Sequence, residues 1–336
     1  MPTMKDVARE ANVSLGTVSN VLNQRPSVSE ANREKVMRAV EKLQFRPNTA
    51  ARTLKTKSSR SIGLIIPDIN NPFYPELARG VEDTAKKYGH SILLCNNDRN
   101  KEKEREYIDI LIEKNVDGII LVKPRIGIAQ LQKIREICPV VAVDADYVPE
   151  GQFDIINVDD DNGMRLAMEL LYEYGHRRIA FISGLLESVS SRSRRQAYID
   201  FLTEKSIPVR PEYIAMGAYN WYSGYTCTVE LLRLLTPPTA IFAANDLMAI
   251  GAMKAIHERR QKIPLDISVM GYDDIDMASL CTPQLTTIWQ PKYEIGVLSV
   301  NMLLNHRRSE EIESKQVTLK TEVRLRESVG YANPNS

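Results

Sequence analysis

No apolar run in this 336-residue chain approaches the ~18 residues of a membrane-spanning helix, so no membrane partner is expected. The opening Met1-Pro2-Thr3-Met4-Lys5-Asp6 has no hydrophobic stretch of signal-peptide type, which points to the cytoplasm. Cysteine is scarce. Cys95, Cys138, Cys227 and Cys281 lie 43 or more residues apart with no C-x-x-C pair, which excludes a disulfide scaffold and leaves buried thiols as the expectation. The four histidines (His90, His176, His257, His306) are scattered within or just after helical stretches, where surface or capping roles suit them better than metal ligation. No G-x-S-x-G, H-E-x-x-H, phosphate-loop or G-x-G-x-x-G pattern occurs, so neither an enzyme, a metal nor a cofactor is expected. No heptad run appears near the C-terminus, and 324–336 reads as frayed. The remaining composition, 43% apolar and 26% charged, is that of an ordinary globular protein long enough for two or three domains.

The charge is unevenly placed. Residues 1–60 hold 12 Lys and Arg against 5 Asp and Glu, whereas the rest hold 32 against 38. A basic head on an acidic body suggests a nucleic-acid-binding module joined to something else. Within the head, Thr3-Met4-Lys5-Asp6 reads as a capping box opening a helix with Val7, Ala8 and Ala11 on one stripe. Asn12-Val13 breaks the pattern, Ser14 can cap a second helix burying Val18, Val21 and Leu22, and a third follows Ser29. Two short capped helices about three residues apart form the helix-turn-helix pattern. The second helix then presents Leu15, Gly16 and Thr17, and on the next turn Ser19 and Asn20, to base edges of the major groove. The same spacing also suits a three-helix bundle that binds protein.

Residues 46–55 begin with Pro and Asn and run into about eight helix-prone residues, too few for a stable isolated helix. The segment carries basic residues and one unpaired apolar side chain, Leu54. Folding on docking, with Leu54 driven between base steps of the minor groove, accounts for these features; a plain linker is the alternative.

From Ser61 onward the pattern alternates strand and helix: strands at 62–66, 91–95, 117–122 and 140–143, helices at 72–88, 101–114 and 129–137. It restarts about 117 residues later with strands at 178–182, 212–215, 240–243 and 268–272, and helices at 191–204, 223–235 and 245–259; 286–291 reads as a crossover. Short buried strands alternating with helices imply an α/β fold, with parallel sheets wound on both faces. Tandem units of this kind imply two lobes around a cleft, where ligands bind beyond the carboxyl ends of the strands.

The polar and aromatic residues at those strand ends are Asn71, Phe73 and Tyr74 after the first strand, Asp98 after the second and Asp144 after the fourth. Arg192, Arg194, Tyr219, Asn245 and Asp273 follow the strands of the second half, and Gln290 sits in the crossover. Each has a bland reading as a helix cap or core residue. Together they set carboxylates, arginines and rings at one mouth, as recognition of a carbohydrate requires; a purine or nucleoside is the alternative ligand.

Lys5-Asp6-Val7-Ala8, Val13-Ser14, 17–23, 46–54, 71–74, 192–198, 244–249, 271–274 and 285–288 together resemble the LacI/GalR family of bacterial transcription regulators, across essentially the whole chain. Gly16 stands where that pattern commonly has a base-reading side chain, and Ala197 where it usually has Gly. The resemblance implies an all-α helix-turn-helix headpiece at 1–46, a hinge helix and linker at 47–59, and a two-lobed, doubly wound core of periplasmic-binding-protein type at 60–336. The N-lobe would comprise about 60–160 plus 291–318, and the C-lobe about 161–288 plus 319–336. It implies DNA contacts by Thr3, Lys5, Ser14, Leu15, Gly16, Thr17, Ser19, Asn20, Asn23, Arg25, Asn48, Ala51, Arg52, Leu54 and Lys55. Phe73, Arg194, Tyr219, Asn245 and Asp273 would line an effector pocket. The function expected is a homodimeric, effector-controlled repressor of carbohydrate-utilisation genes on a near-palindromic operator. A solute-binding protein, a sugar-modifying enzyme and a partner protein in place of a metabolite are the other readings.

Overall fold

The computed structural model describes residues 2–22, 25, 27–45, 58–145, 148, 151–186, 188–306 and 314–333. Asn23, Asn48, Ala51, Arg52, Leu54 and Lys55, and most of the segment 47–59, lie outside the described residues. The chain divides into two compact units, 1–59 and 60–336.

The first unit contains α1 (Met4–Ala11), α2 (Leu15–Leu22) and α3 (Glu30–Lys42). The capping box is formed: the backbone N–H of Asp6 donates to the Thr3 hydroxyl, and the Thr3 N–H donates to the Asp6 carboxylate at 2.9 Å. Asn12 ends α1 in the left-handed region at φ 49°, and Ser14 accepts from the Thr17 N–H at 3.1 Å to open α2. Val7, Ala8, Ala11, Val18, Val21, Val36, Ala39 and Phe45 form one small core.

The second unit holds two six-stranded sheets. The N-lobe sheet runs β11 (Gln316–Leu319), β5 (Asp154–Val158), β4 (Val140–Val143), β3 (Ile119–Val122), β1 (Ser61–Ile66), β2 (Ser91–Asn96), all parallel. The C-lobe sheet runs β12 (Glu322–Arg324), β10 (Thr286–Trp289), β9 (Ser268–Asp273), β8 (Ala240–Ala243), β6 (Ile179–Ser183), β7 (Ile214–Met216), parallel except for β12. In each sheet the first strand of the lobe lies between the second and third, which creates a switch point where helices leave to opposite faces. The N-lobe sheet shows why its strands read as unbroken apolar runs. Ile62, Leu64, Ile120, Val122, Val141 and Val143 enter one core, while Ile65, Ile119, Leu121, Val140 and Ala142 enter the core on the other face.

The helices flanking these sheets are α4 (Phe73–Lys87), α5 (Lys101–Glu113), α6 (Ile128–Arg135), α7 (Asp160–Glu173), α8 (Val189–Glu204), α9 (Trp221–Leu231), α10 (Asp246–Glu258), α11 (Asp276–Leu280) and α12 (Lys292–His306). The chain passes between lobes three times, after β5, after β10 and after β11.

Four expectations are corrected. Residues 286–289 form β10 inside the C-lobe sheet; its polar look misleads because the Thr287 hydroxyl donates to Asp246 and Thr286 bonds Arg326 and Ser328. Residues 324–333 are not frayed: Arg324 ends β12, buried Ser328 donates to the Val269 carbonyl at 2.6 Å, and Tyr331 stacks on Tyr174. His176 is buried, bonded to Thr239, Ser268 and the Gly330 carbonyl, and so ties this segment down. Among the cysteines only Cys138 is buried; the other three are half-buried.

The α4–α12 crossing is close because Gly80 and Gly296 meet there. A Cβ on Gly80 would lie 2.1 Å from the Tyr293 carbonyl oxygen. Gly80→Ala is expected to destabilise the core unit by about 1–3 kcal/mol in urea unfolding. An unchanged unfolding midpoint would mean the helices separate without cost.

Candidate functional site

The headpiece turns one face of α2 inward, through Val18 and Val21, and the other outward. Leu15 is 44% exposed, and Gly16, Ser14, Thr3, Lys5 and Arg25 are exposed as well; Thr17, Ser19 and Asn20 are half-buried. Ser14 and Thr3 double as caps, so part of their hydrogen-bonding capacity is spent inside the unit. The exposed end of α2 is thus its N-terminal turn, the end that a helix-turn-helix directs at base edges.

In the core unit, a cavity of about 470 Å³ opens between the carboxyl ends of the two sheets, within the range of small-molecule sites. Asn71, Phe73, Tyr74, Asp144, Arg192, Arg194, Tyr219, Asp273 and Gln290 all border it. Asp98 does not: it points outward to an ion pair with Lys103 and a bond from Asn96. Asn245 does not either. It caps α10 by accepting from Met248 at 3.0 Å, and its amide donates to the Tyr219 carbonyl at 3.2 Å, so it positions the loop that carries Tyr219. Residues absent from the expected set also border the cavity: Arg99, Lys101, Lys123, Arg125, Asp160 and Ser188. Lys123 directly follows β3 and Asp160 closely follows β5. The strand-end rule therefore finds Lys123 at once, and finds Asp160 only when β5 itself is recognised.

Arg194 is 4% exposed and fully engaged on one side. It meets Asp160 at 2.8 Å, donates to the Ala244 carbonyl at 2.7 Å and stacks 3.6 Å from the Tyr272 ring centroid. On the N-lobe side Lys123 pairs with Asp144 at 2.6 Å and reaches across to Ser190 at 2.9 Å. Burial pushes Asp144 up, but Lys123 and then Arg194 outweigh it and hold the carboxylate below its ordinary value. Phe73 and Tyr74 meet edge to face at 5.2 Å in the N-lobe core. The Tyr219 ring lies against Gly184, where a Cβ would be 2.1 Å from it, with Arg99 and Lys123 5.5 and 5.9 Å from its centroid. Arg99, Lys123, Asp144, Tyr219 and Asp273 all sit at positive φ. Strained backbone of this kind, at ~1–3 kcal/mol each, persists where the surroundings over-determine it and clusters at functional sites. Asp273, 5% exposed, accepts from Gln290 at 2.6 Å through Oδ1; Oδ2 takes no hydrogen bond from the described residues.

Residues 3–48 match the family described as bacterial regulatory proteins, lacI family, and 168–329 match the periplasmic binding protein-like domain. Catabolite control protein A of Priestia megaterium is 36% identical over 327 residues, spanning 97% of this chain and 98% of the relative. The chain belongs to the LacI family. Two solved structures of the family resemble it. The lac repressor dimer bound to operator and the anti-inducer ONPF is 31% identical, with a TM-score of 0.87 over 98% of this chain and 99% of that one. A LacI family transcriptional regulator from Enterococcus faecium with bound ribose is 31% identical, with a TM-score of 0.74 over 81% and 100%. As a LacI-family member the protein is a ligand-regulated, DNA-binding regulator of transcription, with a helical headpiece followed in sequence by an α/β unit of two parallel-sheet lobes.

Burial raises Asp273 from its ordinary 3.8 to about 6, with Arg194, Lys292 and Lys123 only partly offsetting it. The folded protein therefore keeps this proton through a window in which the unfolded chain has released it. The group favours folding below that window, and its contribution declines as pH rises through about 6. In ligand-free protein, wild type is expected to lose stability relative to Asp273→Asn between about pH 4 and 7. Parallel stability–pH curves for the two proteins would contradict this.

Proposed function

We propose that this LacI-family protein is a homodimeric repressor of carbohydrate-utilisation genes, with a small sugar-like effector held in the interlobe cavity. The observation that carries the effector reading is the buried Asp273 carboxylate, which borders the cavity with one oxygen taken by Gln290 and the other open. An acceptor on the cavity wall with no protein donor is free to take a ligand hydroxyl. Arg194, locked by Asp160 and Tyr272, offers its remaining N–H groups beside it. The ribose bound by the Enterococcus faecium relative supports the same class of ligand. A stacked purine is less well served: Phe73 packs on Tyr74, and Arg99 and Lys123 lie over Tyr219 against Gly184.

For DNA, we assign Leu15, Gly16, Thr17, Ser19 and Asn20 to the major groove and Leu54 to a minor-groove wedge, with Thr3, Lys5, Ser14, Asn23, Arg25, Asn48, Ala51, Arg52 and Lys55 as flanking contacts. Two such headpieces in a twofold dimer require a near-palindromic site. The lac repressor relative, a dimer bound to operator, supports this arrangement. Effector binding closes the lobes about their three crossings and moves the chain entries near residues 58–60 in the dimer, which alters operator affinity. Cytoplasmic action and the absence of catalysis follow from the same reading.

Gel-shift assays of the purified protein on fragments of its source genome, with and without sugars, test the function. A salt-sensitive shift of a discrete fragment, altered by a sugar, is expected. No shifted fragment under any condition defeats the proposal. Leu54→Ala is expected to weaken specific binding on the order of tenfold, about 1.4 kcal/mol, while calorimetric ligand affinity stays as in wild type. Equal specific affinity refutes the wedge.

A further inference from the structure

The wall of the cavity carries more positive charge than its own carboxylates balance. Arg99, Lys101, Lys123, Arg125, Arg192 and Arg194 border it, against Asp144, Asp160 and Asp273. Asp160 is taken by Arg194 and Asp144 by Lys123. Arg99 has only a long pair with Asp68, at 3.6 Å. Among the described residues, the side chains of Lys101, Arg125 and Arg192 have no carboxylate within ion-pair distance; Arg192 donates to the Leu186 carbonyl instead.

Arg99 and Arg125 sit on built loops, whereas Lys101 begins α5 and Arg192 lies in α8. Glu104 is almost fully buried on α5, and its Oε1 accepts from the backbone N–H groups of Arg125 and Ile126 at 2.9 and 3.1 Å. Its Oε2 accepts from the Asn97 amide at 2.8 Å, and the Asn97 side-chain oxygen accepts from the Arg99 N–H at 2.9 Å. One buried Glu–Asn pair thereby fixes both loops that bring arginines to the cavity. Gly127, also on the wall, begins α6 with no side chain to cap it, so the positive end of that helix lies uncompensated beside Arg125. A neutral sugar matches the hydroxyl partners Asp273 and Arg194 and leaves the rest of this charge unanswered.

We propose that the effector carries an anionic group, a phosphate or a carboxylate, on a sugar-sized polyol, and that Arg99 and Arg125 receive that group from the N-lobe with Arg192 facing them from the C-lobe. The inference rests on the reading of the cavity as the effector site and narrows its ligand class. Glu104 and Asn97 act as positioning residues.

Thermal-shift and calorimetric titration of the full-length protein test it, with matched sets: ribose, glucose and fructose, their phosphate monoesters, and the corresponding sugar acids. A charged member is expected to bind at least about tenfold more tightly than its neutral parent. That affinity falls with added salt and drops by a similar factor in Arg125→Gln, a half-buried loop position. Preference for the phosphate esters or for the acids identifies which anion the wall takes. A neutral parent that binds as tightly as its charged derivative, or a charged ligand indifferent to both Arg99→Gln and Arg125→Gln, overturns the inference and leaves the effector-site reading intact. Silence from every member of the panel overturns both.

Discussion

A buried guanidinium has to be paired and hydrogen-bonded, and Arg194 meets that requirement by drawing four elements to one point. Asp160 comes from the start of α7, Tyr272 from β9, Ala244 from the end of β8, and Arg194 itself from the first turns of α8. Tyr272 also donates to Asp160 at 3.0 Å, closing the group. Removing Asp160 would leave a largely buried guanidinium without its counter-charge. The C-lobe wall is therefore set before any ligand arrives, and the geometry of Asp273, one residue beyond Tyr272, depends on it.

The lobes are joined by more than chain crossings. Lys123 bridges Asp144 on its own lobe and Ser190 on the other. Lys292, buried at the start of α12, donates to the carbonyls of Asp273 and Asp274 and pairs with Glu76 of α4 at 3.3 Å. These contacts line or adjoin the cavity, so an occupant that competes for them changes the balance between open and closed lobes. A ligand shifts such an equilibrium only by its differential affinity for the two states. Whatever coupling it exerts on DNA binding, DNA exerts equally on ligand binding.

Much of this was legible beforehand because local chemistry and tertiary demand agree. Thr3, Asp6, Asn12 and Ser14 mark helix ends through their own backbone, and the folded headpiece uses them as caps. β1, β3 and β4 of the N-lobe announce themselves because both faces are buried. Where the two levels part, the reading fails. β5 begins with Asp154 and ends just before the acidic first turn of α7, so it looks like a loop. In α12, Ile295, Val297, Leu298, Val300, Met302, Leu303 and Leu304 wrap around the helix because it packs on both α4 and the sheet, leaving the sparse polar face of Glu294, Asn301 and Asn305 as the sole sign of the period.

The order of residues alone determined the basic head, the helix caps, the alternation of buried strands and helices, and which side chains stand at strand ends. Each is a local property, written in charge, capping chemistry or side-chain period. Only the tertiary structure decided which strand ends share one cavity. It kept Arg194 and Asp273, removed Asp98 to the surface and turned Asn245 into a support for Tyr219. It also added Lys123, Arg125 and Asp160. The physical reason is that convergence in space follows from sheet order and lobe crossings, and these are set by packing over long sequence separations that no local pattern records.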